Sequence, residues 1–152
     1  MIVIIQRVKQ ASVSVDQHIV ANITHGFLLL LGIEQNDTPH DTLTLVSKIS
    51  KLRVFPDADY KMNLSIHDVK GSILLVSQFT LCADTKRGNR PSFVRAMQPD
   101  VAKNMYLQFG NELEKLKIPV QYGQFGAAMH VNLVNEGPVT IILESANGEL
   151  KS

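Results

Sequence analysis

Residues 131–143 read VNLVNEGPVTIIL: two apolar stretches of β character with Asn135, Glu136, Gly137 and Pro138 between them. Proline donates no backbone hydrogen bond, so in sheets it is confined to edges, strand starts and bulges. Gly and Pro are also ordinary turn residues. The local reading is therefore a tight connection joining a strand over Ala128 to Val134 to another over Val139 to Glu144.

Upstream, residues 2–15 (IVIIQRVKQASVSV) are rich in β-branched residues, and Asp16 to His18 offers a turn into a second strand ending near Asn22. GFLLLLGI, Gly26 to Ile33, is a short continuous apolar run that predicts a buried strand, as does SILLVSQFTL from Ser72 to Leu81. Between them, Thr38 is a candidate N-cap, with Pro39 in the first helical position and Asp41 in the first turn. Leu45, Val46, Ile49 and Leu52 then share one helical face. A second helix is predicted from Pro99 to about Lys117, with Ala102, Met105, Tyr106, Phe109, Leu113 and Leu116 as its apolar stripe. A short strand over Val120 to Tyr122 follows. The fold class is α/β: a single compact mixed domain over residues 1–145, strand-rich with two main helices, and a loose tail over 146–152.

A hydrophobic share of 45% with 19% charged residues describes a folded chain rather than a disordered one. Fifteen basic against 14 acidic residues leave a net charge of +1, too little to coat long nucleic acid through bulk charge. The single Cys82 excludes an intrachain disulfide. GFLLLLGI is far shorter than the ~20 residues of a membrane span, and MIVIIQRVK places apolar residues before basic ones, the reverse of a signal peptide. The expected location is cytoplasmic, with no membrane partner.

Few residues advertise chemistry. The five histidines share no ligand spacing, and the loop from Asp57 to Asn63 has Lys61 and Met62 where a calcium loop needs a ligand and a glycine, so no metal is expected. Cys82 reads as a small buried hydrophobe. Ser77 and Thr80 stand at the end of an apolar strand, where functional groups are commonly presented, yet no base is visible beside them. The loop from Asp84 to Arg95 sets Lys86, Arg87, Arg90 and Arg95 against one Asp, which suits either phosphates or plain solvation.

Taken together, VSQFTL at 76–81, RGNRPSF at 87–93 and NEGPVT at 135–140, with IQRVKQASVSV and DYKMNLS, resemble the D-aminoacyl-tRNA deacylase family (D-tyrosyl-tRNA(Tyr) deacylase) over residues 1–145. The resemblance implies a homodimer without metal or other cofactor that hydrolyses D-aminoacyl-tRNA at the acceptor end; a filter acting on Cβ would admit glycyl-tRNA too. It implies a cis bond before Pro138, with Gly137 and Pro138 turned into the partner's pocket to grip the α-amino group and exclude an L side chain. The catalytic segment would be Ser77, Gln78, Phe79 and Thr80, with the backbone N–H groups of Phe79 and Thr80 around the reacting carbonyl and the ribose 2′-hydroxyl assisting the water. Met129 would line the adenosine pocket, and Lys86, Arg87 and Arg90 would contact tRNA phosphates. The runner-up is a nucleic-acid-binding relative of this fold that does not need hydrolysis; a third option, an editing module like that of some threonyl-tRNA synthetases, has the intact Gly137-Pro138 against it.

Overall fold

In a computed structural model that describes residues 1–151, β1 (Ile2–Val15) is the spine of the molecule. Its first half pairs antiparallel with β3 (Gly26–Gly32), and its second half with β2 (His18–Ile23). β6 (Ser72–Ser77) lies parallel to β3, and β7 (Val120–Tyr122) parallel to β6. β8 (His130–Ala146) pairs with almost all of β1, and β9 (Glu149–Leu150) turns back on β8. The sheet order is β7-β6-β3-β1-β8-β9, with β2 beside β1; β4 (Phe55–Pro56) and β5 (Met62–Leu64) form a separate hairpin.

The two helices, α1 (Pro39–Lys51) and α2 (Pro99–Lys115), cover one face of this sheet. Leu45, Ile49, Tyr106 and Phe109 meet Val3, Ile5, Phe27, Leu29, Ile73 and Leu75 there. On the other face Leu28, Leu74 and Val76 pack against Val8, Ala11, Val13, Ala21 and Ile23, because the second half of β1 curls over with β2. Central strands covered on both sides lose polar alternation. That is why GFLLLLGI and SILLV are continuous apolar runs.

Three sequence expectations change. Gly137-Pro138 is not a turn. β8 runs straight through it, and the register passes from Gln6↔Thr140 to Val8↔Asn135, setting residues 136–139 against the single Arg7. A wide bulge of this kind leaves residues outside the ladder, where a proline costs no hydrogen bond. Second, the strand expected to reach Leu81 stops at Ser77, and Phe79–Cys82 wind into a 3-10 turn.

Third, residues 146–151 of the supposed loose tail are held. The Gly148 N–H donates to Asp41 Oδ1 at 2.9 Å and the Thr44 hydroxyl to the Gly148 carbonyl at 2.6 Å; Ser152 lies outside the described residues. Asp41 also accepts from the Ser145 hydroxyl at 2.7 Å and from the N–H and hydroxyl of Thr38, both at 2.9 Å, closing a capping box.

Burial pushes the Asp41 carboxyl upward, but these bonds prevail and bring it down to about 2. A carboxylate depressed in the folded state contributes stability above its unfolded value, and loses it as pH falls through the folded one. Asp41→Asn should therefore lower the melting temperature at pH 7, with the gap to wild type closing between about pH 4 and 2. Thermal melts across that range check it; a gap independent of pH would remove Asp41 from the acid response.

Candidate active site

β6 delivers the site. Its last register partner is Leu31, whose carbonyl accepts from the Gln78 N–H at 2.7 Å. The chain then tightens: Leu81 N–H reaches the Gln78 carbonyl at 3.2 Å and Ala83 N–H the Thr80 carbonyl at 3.2 Å. Phe79 and Thr80 head the turn, so their N–H groups have no acceptor within it. Gly32 permits this closeness. A Cβ there would stand 2.8 Å from Leu81 Cβ and 3.2 Å from the Gln78 carbonyl.

The Thr80 hydroxyl, exposed, accepts from Gln78 Nε2. An amide cannot act as a base, so nothing bonded to Thr80 activates it as a nucleophile. Cys82, the last residue of the turn, is buried, its thiol pushed up to about 11 by burial and then by Glu34 and Asp37. It is inert packing, as the sequence suggested. Among the described residues no cluster of three His, Cys, Asp or Glu side chains is placed to hold a metal ion.

Ser77, Gln78 and Phe79 border a cavity of about 420 Å³, floored by Leu31 and Ile33 and walled by Phe93, Met97 and Phe125. Phe93 meets Phe79 edge-on at 5.1 Å between centroids. On the far side, the buried Tyr106 hydroxyl donates to the Leu75 carbonyl at 2.8 Å and ties α2 to β6. Phe93, Met97 and Phe125 come from loops, so no periodicity marked them in the sequence. Met129 is not in this wall. It is half-buried against the cluster on the sheet's opposite face, and its sulfur would be 3.0 Å from a Cβ at Gly123.

The basic loop follows directly from the turn. Asp84 and Ser92 exchange backbone bonds at 2.8 and 2.9 Å, and Asp84 Oδ1 accepts from the Lys86 N–H at 2.9 Å. This pins the base of the loop and leaves Lys86, Arg87 and Arg90 exposed, without an ion pair among the described residues. Arg95, by contrast, is paired with Glu34.

Gly137 and Pro138 are exposed and joined by a cis peptide bond. The bulge that carries them is fixed from beneath. Asn135 Nδ2 donates to the Val139 carbonyl at 2.9 Å and to the Arg7 carbonyl at 3.3 Å, while Arg7 Nε donates to the Glu136 carbonyl at 2.7 Å. A Cβ on Gly137 would fall 2.1 Å from the Val139 nitrogen and 2.3 Å from Asn135 Oδ1. Only glycine fits.

The register fixes where this bulge lies. Val8 pairs with Gly26 and Gly26 with Ser72, the start of β6, whereas the 3-10 turn follows Ser77 at its other end. Five residues along β6 and three strand spacings across the sheet put the two motifs roughly 20 Å apart within one chain.

Residues 4–144 match the family described as D-Tyr-tRNA(Tyr) deacylase. Among solved structures, a c-Myc DNA unwinding element binding protein is 41% identical, over 95% of this chain and 99% of that one, with a TM-score of 0.89. A probable eukaryotic D-amino acid tRNA deacylase shares the fold at 18% identity and a TM-score of 0.77, covering 93% of this chain and 97% of that one. The strand-end turn of free amides thus sits in a hydrolase that cleaves the ester between an amino acid and tRNA. The chain belongs to the D-Tyr-tRNA(Tyr) deacylase family, and its substrates are D-aminoacyl-tRNAs.

Proposed function

We propose that each D-aminoacyl ester is cleaved where the Ser77–Thr80 segment of one copy meets Gly137-Pro138 of a second, in a homodimer. The observation that carries this reading is the separation of roughly 20 Å between the two motifs in one chain. No single copy brings both to one acyl group. The exposed Gly137-Pro138 backbone, braced by Asn135 and Arg7, is the part free to enter a neighbour's cavity.

In this mechanism water adds to the acyl carbon, the carbonyl oxygen gains negative charge, and the Phe79 and Thr80 N–H groups hold that charge. The bond to the ribose 3′-oxygen then breaks, and that oxygen takes a proton, giving free amino acid and tRNA. No base is bonded to Thr80, which favours help from the ribose 2′-hydroxyl of the substrate. The filter works on the one feature that differs between D and L esters, the direction of Cβ: fixed backbone standing in the L direction rejects every L residue whatever its side chain. Lys86, Arg87 and Arg90 hold the acceptor-end phosphates, and the apolar cavity takes the terminal adenosine, with Met129 contributing at most from the opposite face. Neither a metal nor another cofactor has a part.

Thr80→Ala keeps its backbone N–H and should retain activity within about tenfold, since loss of a true oxyanion donor costs ~2.7–4 kcal/mol. A loss of that size on removing the hydroxyl alone would move the chemistry to Thr80 itself. In the same assay a tRNA ending in 2′-deoxyadenosine should be a poor substrate.

A second reading is association with nucleic acid without required hydrolysis. It is favoured by the relative at 41% identity, named for binding a DNA element, and by the three exposed cations of the loop. Matched D- and L-tyrosyl-tRNA separate the two: rapid loss of the D ester alone supports the deacylase site, whereas tight binding with both esters intact supports the second reading.

A further inference from the structure

Glu136 precedes the Gly137-Pro138 pair, and its Oε2 is buried with no hydrogen-bond partner. A buried acceptor left open is costly, and such atoms are normally satisfied. Two cationic or donor groups face it. Arg7 Nε, from β1, is 3.9 Å away, but it already donates to the Glu136 carbonyl at 2.7 Å while its Nη1 donates to the Val54 carbonyl. Arg7 therefore supplies charge to Oε2 rather than a bond. His25 Nδ1, from the connection between β2 and β3, is 3.6 Å away, just beyond bonding distance.

The imidazole is well placed to close that gap. Its ring meets Phe55 of β4 at a tilt of 59°, with 5.0 Å between centroids, and the His25 carbonyl accepts from the Ser72 N–H at 3.0 Å. Backbone and ring are thus both anchored, and a shift of a few tenths of an ångström makes the bond when Nδ1 carries a proton.

Resting on the cross-subunit reading above, we propose that His25 is a positioning residue for the deacylase: it donates from Nδ1 to Glu136 and so fixes the direction in which Gly137-Pro138 projects. Arg7 holds the Glu136 backbone from one side; His25 holds its carboxylate from the other. Without the second hold the bulge can turn about the Arg7 contact. The first property lost is the sharpness of D/L selection, because that depends on backbone placed to within a methyl group.

The test compares kcat/KM for D-tyrosyl-tRNA with that for L-tyrosyl-tRNA, alongside melting temperature and dimer content. His25→Leu should lower the D/L ratio about tenfold or more, as for a lost bond to a charged group, with dimer content unchanged and only a modest fall in melting temperature. His25→Asn places an amide N–H where Nδ1 was and should restore the ratio to within about threefold of wild type. Adding His25→Leu to Glu136→Leu should lower the ratio no further, because the two residues act as one unit. An unchanged ratio in His25→Leu, or His25→Asn as poor as His25→Leu, overturns the role of His25 while leaving the deacylase reading standing. Wild-type protein that failed to separate the two esters would instead bring down that reading and the inference with it.

Discussion

Glycyl-tRNA should be hydrolysed while L-alanyl-tRNA, larger by one methyl group, survives. If rejection acts through a Cβ driven against Gly137-Pro138, a substrate without Cβ has nothing to clash. A pocket that chose by side-chain affinity would do the reverse: an added methyl is worth only ~1–3 kcal/mol, and in favour of the larger group. The proposed backbone contact would be steeper because the bulge has little room to yield. Asn135 spans it from Arg7 to Val139, and Arg7 holds the Glu136 carbonyl. Deacylation of glycyl-, L-alanyl- and D-alanyl-tRNA at one enzyme concentration is the measurement. Rapid cleavage of the L-alanyl ester, or full resistance of the glycyl ester, would remove Gly137-Pro138 as the filter.

Two variants that are each inactive should restore one another. Gly137→Ala forces a Cβ to 2.1 Å from the Val139 nitrogen and should spoil the strap that, in the proposed homodimer, a subunit lends to its neighbour. Gly32→Val pushes on Leu81 and the Gln78 carbonyl and should spoil the turn that, on the same proposal, a subunit keeps for itself. Each homodimer then has both sites defective. In a heterodimer the intact turn of one chain faces the intact strap of the other, and one site in two is whole. Random pairing at equal amounts makes half the dimers mixed, so activity should return to about a quarter of wild type. Were turn and strap to serve the same chain, mixing would restore nothing. Melting curves of each variant, taken beforehand, separate a displaced motif from an unfolded chain.

Much of this fold is legible in the sequence, wherever the determinants are local. Thr38, Pro39 and Asp41 announce α1 because capping is settled within one turn, and the stripe from Ala102 to Leu113 marks α2 because its period belongs to the helix itself. The runs at Gly26 and Ser72 mark the central strands, since burial on both faces removes polar alternation. What escapes is set by distant partners. Gly137-Pro138 reads as a turn until Arg7 is seen opposite it, and the last residues read as loose until Asp41 and Thr44 are seen holding Gly148. Phe79 and Leu81 extend the apolar run of β6, although Phe79 is 60% exposed and borders a cavity rather than filling a core.

The site divides in the same way. The turn and the basic loop adjoin in sequence and in space, so their adjacency is readable from the chain alone. The cavity wall of Phe93, Met97 and Phe125 is gathered from separate loops and carries no pattern. Met129, close to Phe125 in sequence, falls on the other side of the sheet.

The separation of the turn from the Gly137-Pro138 bulge also bears on what a newly made chain does before it meets a second. If the two motifs act as proposed, such a chain has the amides that would promote hydrolysis, but nothing that tells a correct ester from a wrong one. An unscreened esterase would be hazardous to a cell, because nearly all charged tRNA carries the L form. If the strap acts as proposed, however, the element that screens is also the element that holds the α-amino group. A solitary chain therefore lacks the means to retain any ester long enough to cleave it. Dilution, slow synthesis or a damaged interface would leave the protein idle rather than indiscriminate, and the supply of charged tRNA for translation would be spared.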